Sequence, residues 1–107
     1  MTEDKILSIL ASADHSGFTE LLHGDSLNRY VVAFTNNTEY ALDLLFCQAR
    51  FFWAVFTNLT IGWRTTPQGQ IMIDIGTSTD NLQEALELKR LHNQQAVWDT
   101  VLKIDIT

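Results

Sequence analysis

At 107 residues, 46% hydrophobic and 19% charged, the chain has one domain's worth of core, residues 1–107, and a composition far from disorder. Thirteen acids against seven bases give a net charge of −6, and Lys89-Arg90 is the one adjacent basic pair. That balance argues against direct binding of a nucleic-acid backbone, which needs clustered Lys and Arg.

The N-terminal "MTEDKILSIL" carries two acids where a signal peptide carries bases. From Glu3 to about Ala13, the placement of Ile6, Leu7, Ile9 and Leu10 predicts an amphipathic helix with Thr2 as its cap. Ser16 to His23 reads as a short second helical turn closed by Gly24, and the β-branched and aromatic run Arg29–Phe34 reads as a strand. Asn37 or Thr38 then caps a helix spanning about 39–56, with apolar positions at Ala41, Leu44, Leu45, Phe52 and Val55. Its "FFWAVF" taken alone also reads as strand, but a single strand of that whole length would be abnormal. Asp43, Gln48 and Arg50 interrupt the window, so it is a buried amphipathic helix and not a membrane span.

"LTIGW" and "QIMIDI" flank the turn "RTTPQG", where Gly69 is free to take positive φ. Ile71, Ile73 and Ile75 alternate with Gln70, Met72 and Asp74, the mark of a strand with one face in a core. Gly76 ends that strand. Ser78 or Thr79 caps the next helix, which has Asp80 at its positive end and Leu82, Ala85, Leu86 and Leu88 on its buried face. The helix stops near His92-Asn93, since Asn tolerates the left-handed conformation, and Gln94 is expected to bond backbone at that end. "QAVWD" and "KIDI" form a closing hairpin. The fold expected is α+β: a mainly antiparallel sheet of four or five strands with two or three helices on one face.

No catalytic set emerges. Cys47 reads as a small buried thiol, and one cysteine permits no intramolecular disulfide. His15, His23 and His92 share no metal-ligand spacing, so neither a metal nor a cofactor is expected. Asp14-His15-Ser16 has triad residue types, but adjacent residues point apart and cannot form a relay. The chain is read as a non-enzyme. Trp53, Trp63 and Trp98 offer indoles for a pocket or a partner surface, with Arg64 to hold an anion, although Trp63 and Trp98 read first as strand residues packing the sheet. Asp74, Asp99 and Asp105 fall on strands at solvent-facing positions, where they would form an acidic patch if they shared a face.

Gly62-Trp63, "GQIMIDI" (Gly69–Ile75), "EALEL" (Glu84–Leu88) and "NQQAVWD" (Asn93–Asp99) together resemble the C-terminal half of small uncharacterised proteins encoded by phages and prophages. The similarity runs from Thr60 to Asp99 and stops there, where Thr100-Val101-Leu102 stands in place of a Gly-containing turn. It implies a phage-type protein working in a host cytoplasm. With short length and acidic charge, the expected function is binding and blocking a host protein, as anti-CRISPR and antirestriction proteins do. The partner would be a host protein such as a basic nucleic-acid-binding complex. The alternative is a small-molecule binder, a sponge for a nucleotide signal, with Trp63, Trp98 and Arg64 lining a site at a homo-oligomer interface; exposed aromatics in so small a chain also suggest a homodimer. Trp63, Arg64, Asp74, Trp98 and Asp99 are the candidate binding residues.

Overall fold

The computed structural model describes residues 2–12, 17–38 and 40–107. Asp14-His15-Ser16 and the Thr2 side chain lie outside them. In chain order the elements are α1 (Thr2–Ser12), β1 (Phe18–His23), β2 (Tyr30–Ala33), β3 (Asn37–Thr38), α2 (Leu42–Val55) and β4 (Leu59–Thr65). They continue with β5 (Ile71–Thr79), α3 (Leu82–Leu91), β6 (Val97–Asp99) and β7 (Ile104–Ile106). The class is α+β, with a wholly antiparallel sheet ordered β1-β4-β5-β2-β6-β7 and β3 paired to the other half of β5. The sheet has seven strands among the described residues, more than the four or five expected.

The two extra strands are β1 and β3. "FTELLH" has good local helix formers, yet six residues make a marginal helix in water. Pairing with β4, from Phe18 opposite Trp63 to His23 opposite Leu59, satisfies its backbone instead. Asn37 and Thr38 are likewise taken up as strand, so they do not cap α2. That helix starts at Leu42, with Ala41 in the cap position and no side-chain cap bond.

Gly76 does not end β5, which runs on to Thr79. A Cβ there would stand 2.2 Å from the Val32 carbonyl oxygen, so glycine lets β2 and β5 approach closely in mid-strand. The cap of α3 moves accordingly from Ser78 or Thr79 to Asn81, whose side chain accepts from the Glu84 N–H at 3.1 Å. At its far end Asn93 sits at φ 58°, the left-handed stop expected of it. Gln94 donates to the His92 carbonyl at 3.2 Å, which is the backbone bond expected at that helix end.

The helices cover one face. On that face Leu59, Ile61, Ile73 and Ile75 meet Ile6 and Ile9 of α1 and Leu45 and Ala49 of α2. A smaller cluster joins Val32 and Val97 to Ala85 of α3. Phe34 ties the two ends together, its ring tilted against Phe52, Phe56 and His92 at 4.4 to 4.8 Å.

Cys47 is exposed and not buried, because α2 turns Leu45 and Ala49 to the core and Cys47 away from it. Leu44 and Val55, read as buried, also point outward.

Candidate functional site

The face opposite the helices carries the alternate residues of each strand. Thr60 stands across from Gly76, Gly62 from Asp74 and Arg64 from Met72. In β2 and β6 the same parity brings Val31 beside Trp98, and Asp105 of β7 flanks Trp98 on its other side. Ala33 lies opposite Gly76. The middle of this face is therefore built from Gly, Ala and Thr, with large or charged side chains around it.

Absent side-chain bulk leaves space. An open groove of about 730 Å³ runs over this floor, within the range of about 300–1,000 Å³ usual for small-ligand sites. Trp98 and Arg64 line it, as do Asn36 after β2, Asn93–Ala96 after α3, and Lys103 before β7. A Cβ built on Gly62 meets nothing closer than 3.9 Å, so the floor there is vacant and not tightly packed.

Asp74 is the most perturbed group in the groove. Its carboxyl is half-buried, and that loss of water raises its pKa from 3.8 to about 6, with Arg64 pulling weakly the other way. Near neutrality it therefore exchanges between hydrogen-bond donor and acceptor. The Asn36 amide lies within reach on both sides. With its nitrogen turned to Asp74 it donates to Oδ1 at 2.9 Å, and in the opposite orientation to Gln94 Oε1 at 3.4 Å. Together these groups supply one aromatic face, one guanidinium, one ammonium and a cluster of amide and carboxyl edges.

Arg64, Asp74 and Trp98 thus come together, although they lie on three strands. Trp63 also borders the groove, but by strand alternation its ring lies on the helix side, packed with the main core and tilted against Phe18 at 6.0 Å. Its Nε1 is buried with no hydrogen-bond partner among the described residues.

Asp99 departs from the solvated position expected of it. It shares strand parity with Val97, faces the helices, and is 1% exposed. Arg29 grips it through two bonds, Nε to Oδ1 at 3.1 Å and an Nη to Oδ2 at 3.0 Å. The Val101 and Leu102 N–H groups also donate to Oδ1, at 2.9 and 3.2 Å. The Arg29 bonds, aided by those N–H groups, hold its pKa at about 2 against the opposing effect of burial. This carboxylate organises the β6–β7 turn and is closed off from solvent. The three strand acids accordingly do not form one patch: Asp74 and Asp105 are on the open face and Asp99 is on the other.

Sequence reading missed Asn36, Lys103 and the floor itself. The signal for the floor was present as parity: Ala33, Thr60, Gly62 and Gly76 all alternate out of register with the core isoleucines. No group of three or more His, Cys, Asp and Glu able to hold a metal occurs among the described residues, and no helix of the described residues is long and apolar enough to cross a membrane. No family model, no curated protein and no solved structure matches the chain.

Proposed function

We propose that the protein is a non-enzymatic binding protein whose open sheet face takes up a small planar molecule with an anionic group, a nucleotide being the fitting class. The observation that carries this reading is the groove of about 730 Å³ in which Trp98, Arg64 and Asp74 converge over a floor of Gly, Ala and Thr. A heteroaromatic ring would stack on the Trp98 indole while Arg64 or Lys103 meets the anion. Asn36 and the near-neutral Asp74 would read the ring's donor and acceptor edges. The function is then sequestration of that molecule.

Titration of the protein with a panel of nucleoside monophosphates, triphosphates and cyclic dinucleotides, followed by calorimetry and thermal shift, tests the reading. One class is expected to bind, with Arg64→Ala and Trp98→Ala each weakening it by about tenfold or more while the fold is retained. Absence of binding across the panel at millimolar concentration, or binding unchanged in both variants, would sink it.

A second reading keeps the phage-type role of blocking a host protein. What favours it is a run of exposed apolar side chains at the last hairpin: Val101, Leu102 and Ile104 are 63%, 58% and 49% exposed. These adjoin β7, an edge strand open to pairing with another chain. A stoichiometric partner recovered from bacterial lysate and lost on replacing Val101 and Leu102 by Ser would support this role over sequestration. The acids lend little to phosphate mimicry, because Asp4, Glu20, Asp43, Glu84 and Asp105 sit on five different elements.

A further inference from the structure

The helix α2 is apolar on two opposite sides. Its inner side, Leu45 and Ala49 with Leu42, Phe46 and Phe52 around them, is used by the core. Its outer side is not covered: Leu44, Phe51 and Val55 are 53%, 65% and 61% exposed, and Cys47 and Ala54 lie exposed between them. A helix that is hydrophobic all round is ordinarily buried all round.

The spacing on the outer side narrows the choice of cover. Leu44, Cys47, Phe51 and Ala54 succeed one another at intervals of three, four and three residues, which is the seam that packs against another helix in a coiled coil. Two charges flank this seam on one side, Asp43 near its start and Arg50 near its end. Asp43 makes no ion pair among the described residues. Arg50 is held by Glu3 and donates to Cys47 Sγ at 3.4 Å, with its side chain still 54% exposed.

We propose that this face is a homodimer interface in which two copies of α2 pack antiparallel about a two-fold axis at Cys47. That operator sets Leu44 against Phe51 of the partner subunit and Asp43 against Arg50 of the partner subunit, and it brings Cys47 to its own copy. Both ends of the seam are satisfied by the same sequence, as an isologous contact requires. In an antiparallel helix pair the flanking positions on one side meet each other, so an acid at one end and a base at the other make two cross-chain pairs. A parallel pair would carry this flank to opposite sides of the seam in the two copies, so that Asp43 and Arg50 of the partner subunit would not meet. One 14-residue helix face is a small interface, so the expected dissociation constant is on the order of micromolar.

Sedimentation velocity on the full chain, from micromolar to submillimolar concentration, reads the association directly. The wild type is expected to pass from monomer to dimer, and a short bismaleimide should join two copies at Cys47. Phe51→Glu should weaken association by about a hundredfold with an unchanged far-ultraviolet spectrum, since Phe51 contributes little to the core. The charge pair supplies a test that leaves every apolar side chain in place. Asp43→Arg alone puts two arginines together at each end, and Arg50→Glu alone puts two acids together, so each variant should dimerise about tenfold or more weakly than wild type. Mixed in equal amounts, the two should restore the dimer as a heterodimer. A wild type monomeric throughout the range would overturn the proposal, as would variants that associate like wild type or a mixture no stronger than its components.

Discussion

The two faces of the sheet are made by the same strands and could hardly differ more. One is filled: Leu59, Ile61, Ile73 and Ile75 are at most 1% exposed beneath α1 and α2. The other, one residue out of step along each strand, has Thr60, Gly62 and Gly76 where the first has Leu and Ile. A period of two in the backbone thus separates the residues that hold the protein together from those that leave space on it. Stability and binding are divided by parity, and substitutions at neighbouring positions should act on one or the other.

The largest contrast is expected at Ile61 and Gly62. Ile61→Ala removes a fully buried side chain from the main core and should cost about 2–5 kcal/mol in urea denaturation. Gly62→Ala adds a methyl group on the open face with no neighbour closer than 3.9 Å, at a position outside the left-handed region. It should be neutral or stabilising by up to about 1 kcal/mol, through reduced freedom of the unfolded chain. A large loss at Gly62 would mean that the groove is closed by packing.

The two carboxylates titrate in opposite senses, one on each face. The pKa of Asp99 is lowered from 3.8 to about 2, so the stability it adds is complete above the unfolded value and drains away as pH falls from about 4 towards 2. Asp99→Asn should lower the melting temperature at pH 7 and flatten that acid limb. The pKa of Asp74 is raised from 3.8 to about 6, so its contribution is complete below 3.8 and is lost as pH rises through 6. Asp74→Asn should therefore stabilise the protein at pH 7 by about 1–3 kcal/mol, an advantage that vanishes below pH 4. Carbon-detected NMR titration of the Asp carboxyl groups would measure both values. An Asp74 midpoint near 4 would show that the groove is fully wet.

Much of the closed face was legible in the sequence. Alternating isoleucines located β5, the turn at Gly69 located its hairpin with β4, and Asn93 located the end of α3. The strand β1 was not legible, because its helix-forming residues are decided by a partner some forty residues away. Nor was the outer side of α2: with apolar residues all around, periodicity gives a helix but not the side that meets the core. Asp99 was misplaced for another reason. Val97 and Asp99 share strand parity, so the burial of the apolar Val97 carries Asp99 inside with it, against the usual preference of a carboxylate for solvent. The groove's composition was readable from parity, but its walls were not, since Asn36, Gln94 and Lys103 reach it from three separate loops.

The smallest effect is expected where the two faces come closest to exchanging roles. Trp63 was grouped with Trp98 as a binding residue, yet its indole packs against Phe18 and the core while its Nε1 is buried without a partner among the described residues. Trp63→Phe removes that unsatisfied donor, a gain of about 1–3 kcal/mol in desolvation. It also removes indole volume from a contact with the core, a loss of similar size. The two should nearly cancel, leaving a net change within about 1 kcal/mol and ligand affinity untouched. Trp98→Phe makes the sharper comparison: the ring is on the open face, so stability should again hold while nucleotide binding weakens. If Trp63→Phe instead weakened binding as much as Trp98→Phe, the helix-side tryptophan would be reaching the groove, and the division of labour between the two faces would be wrong.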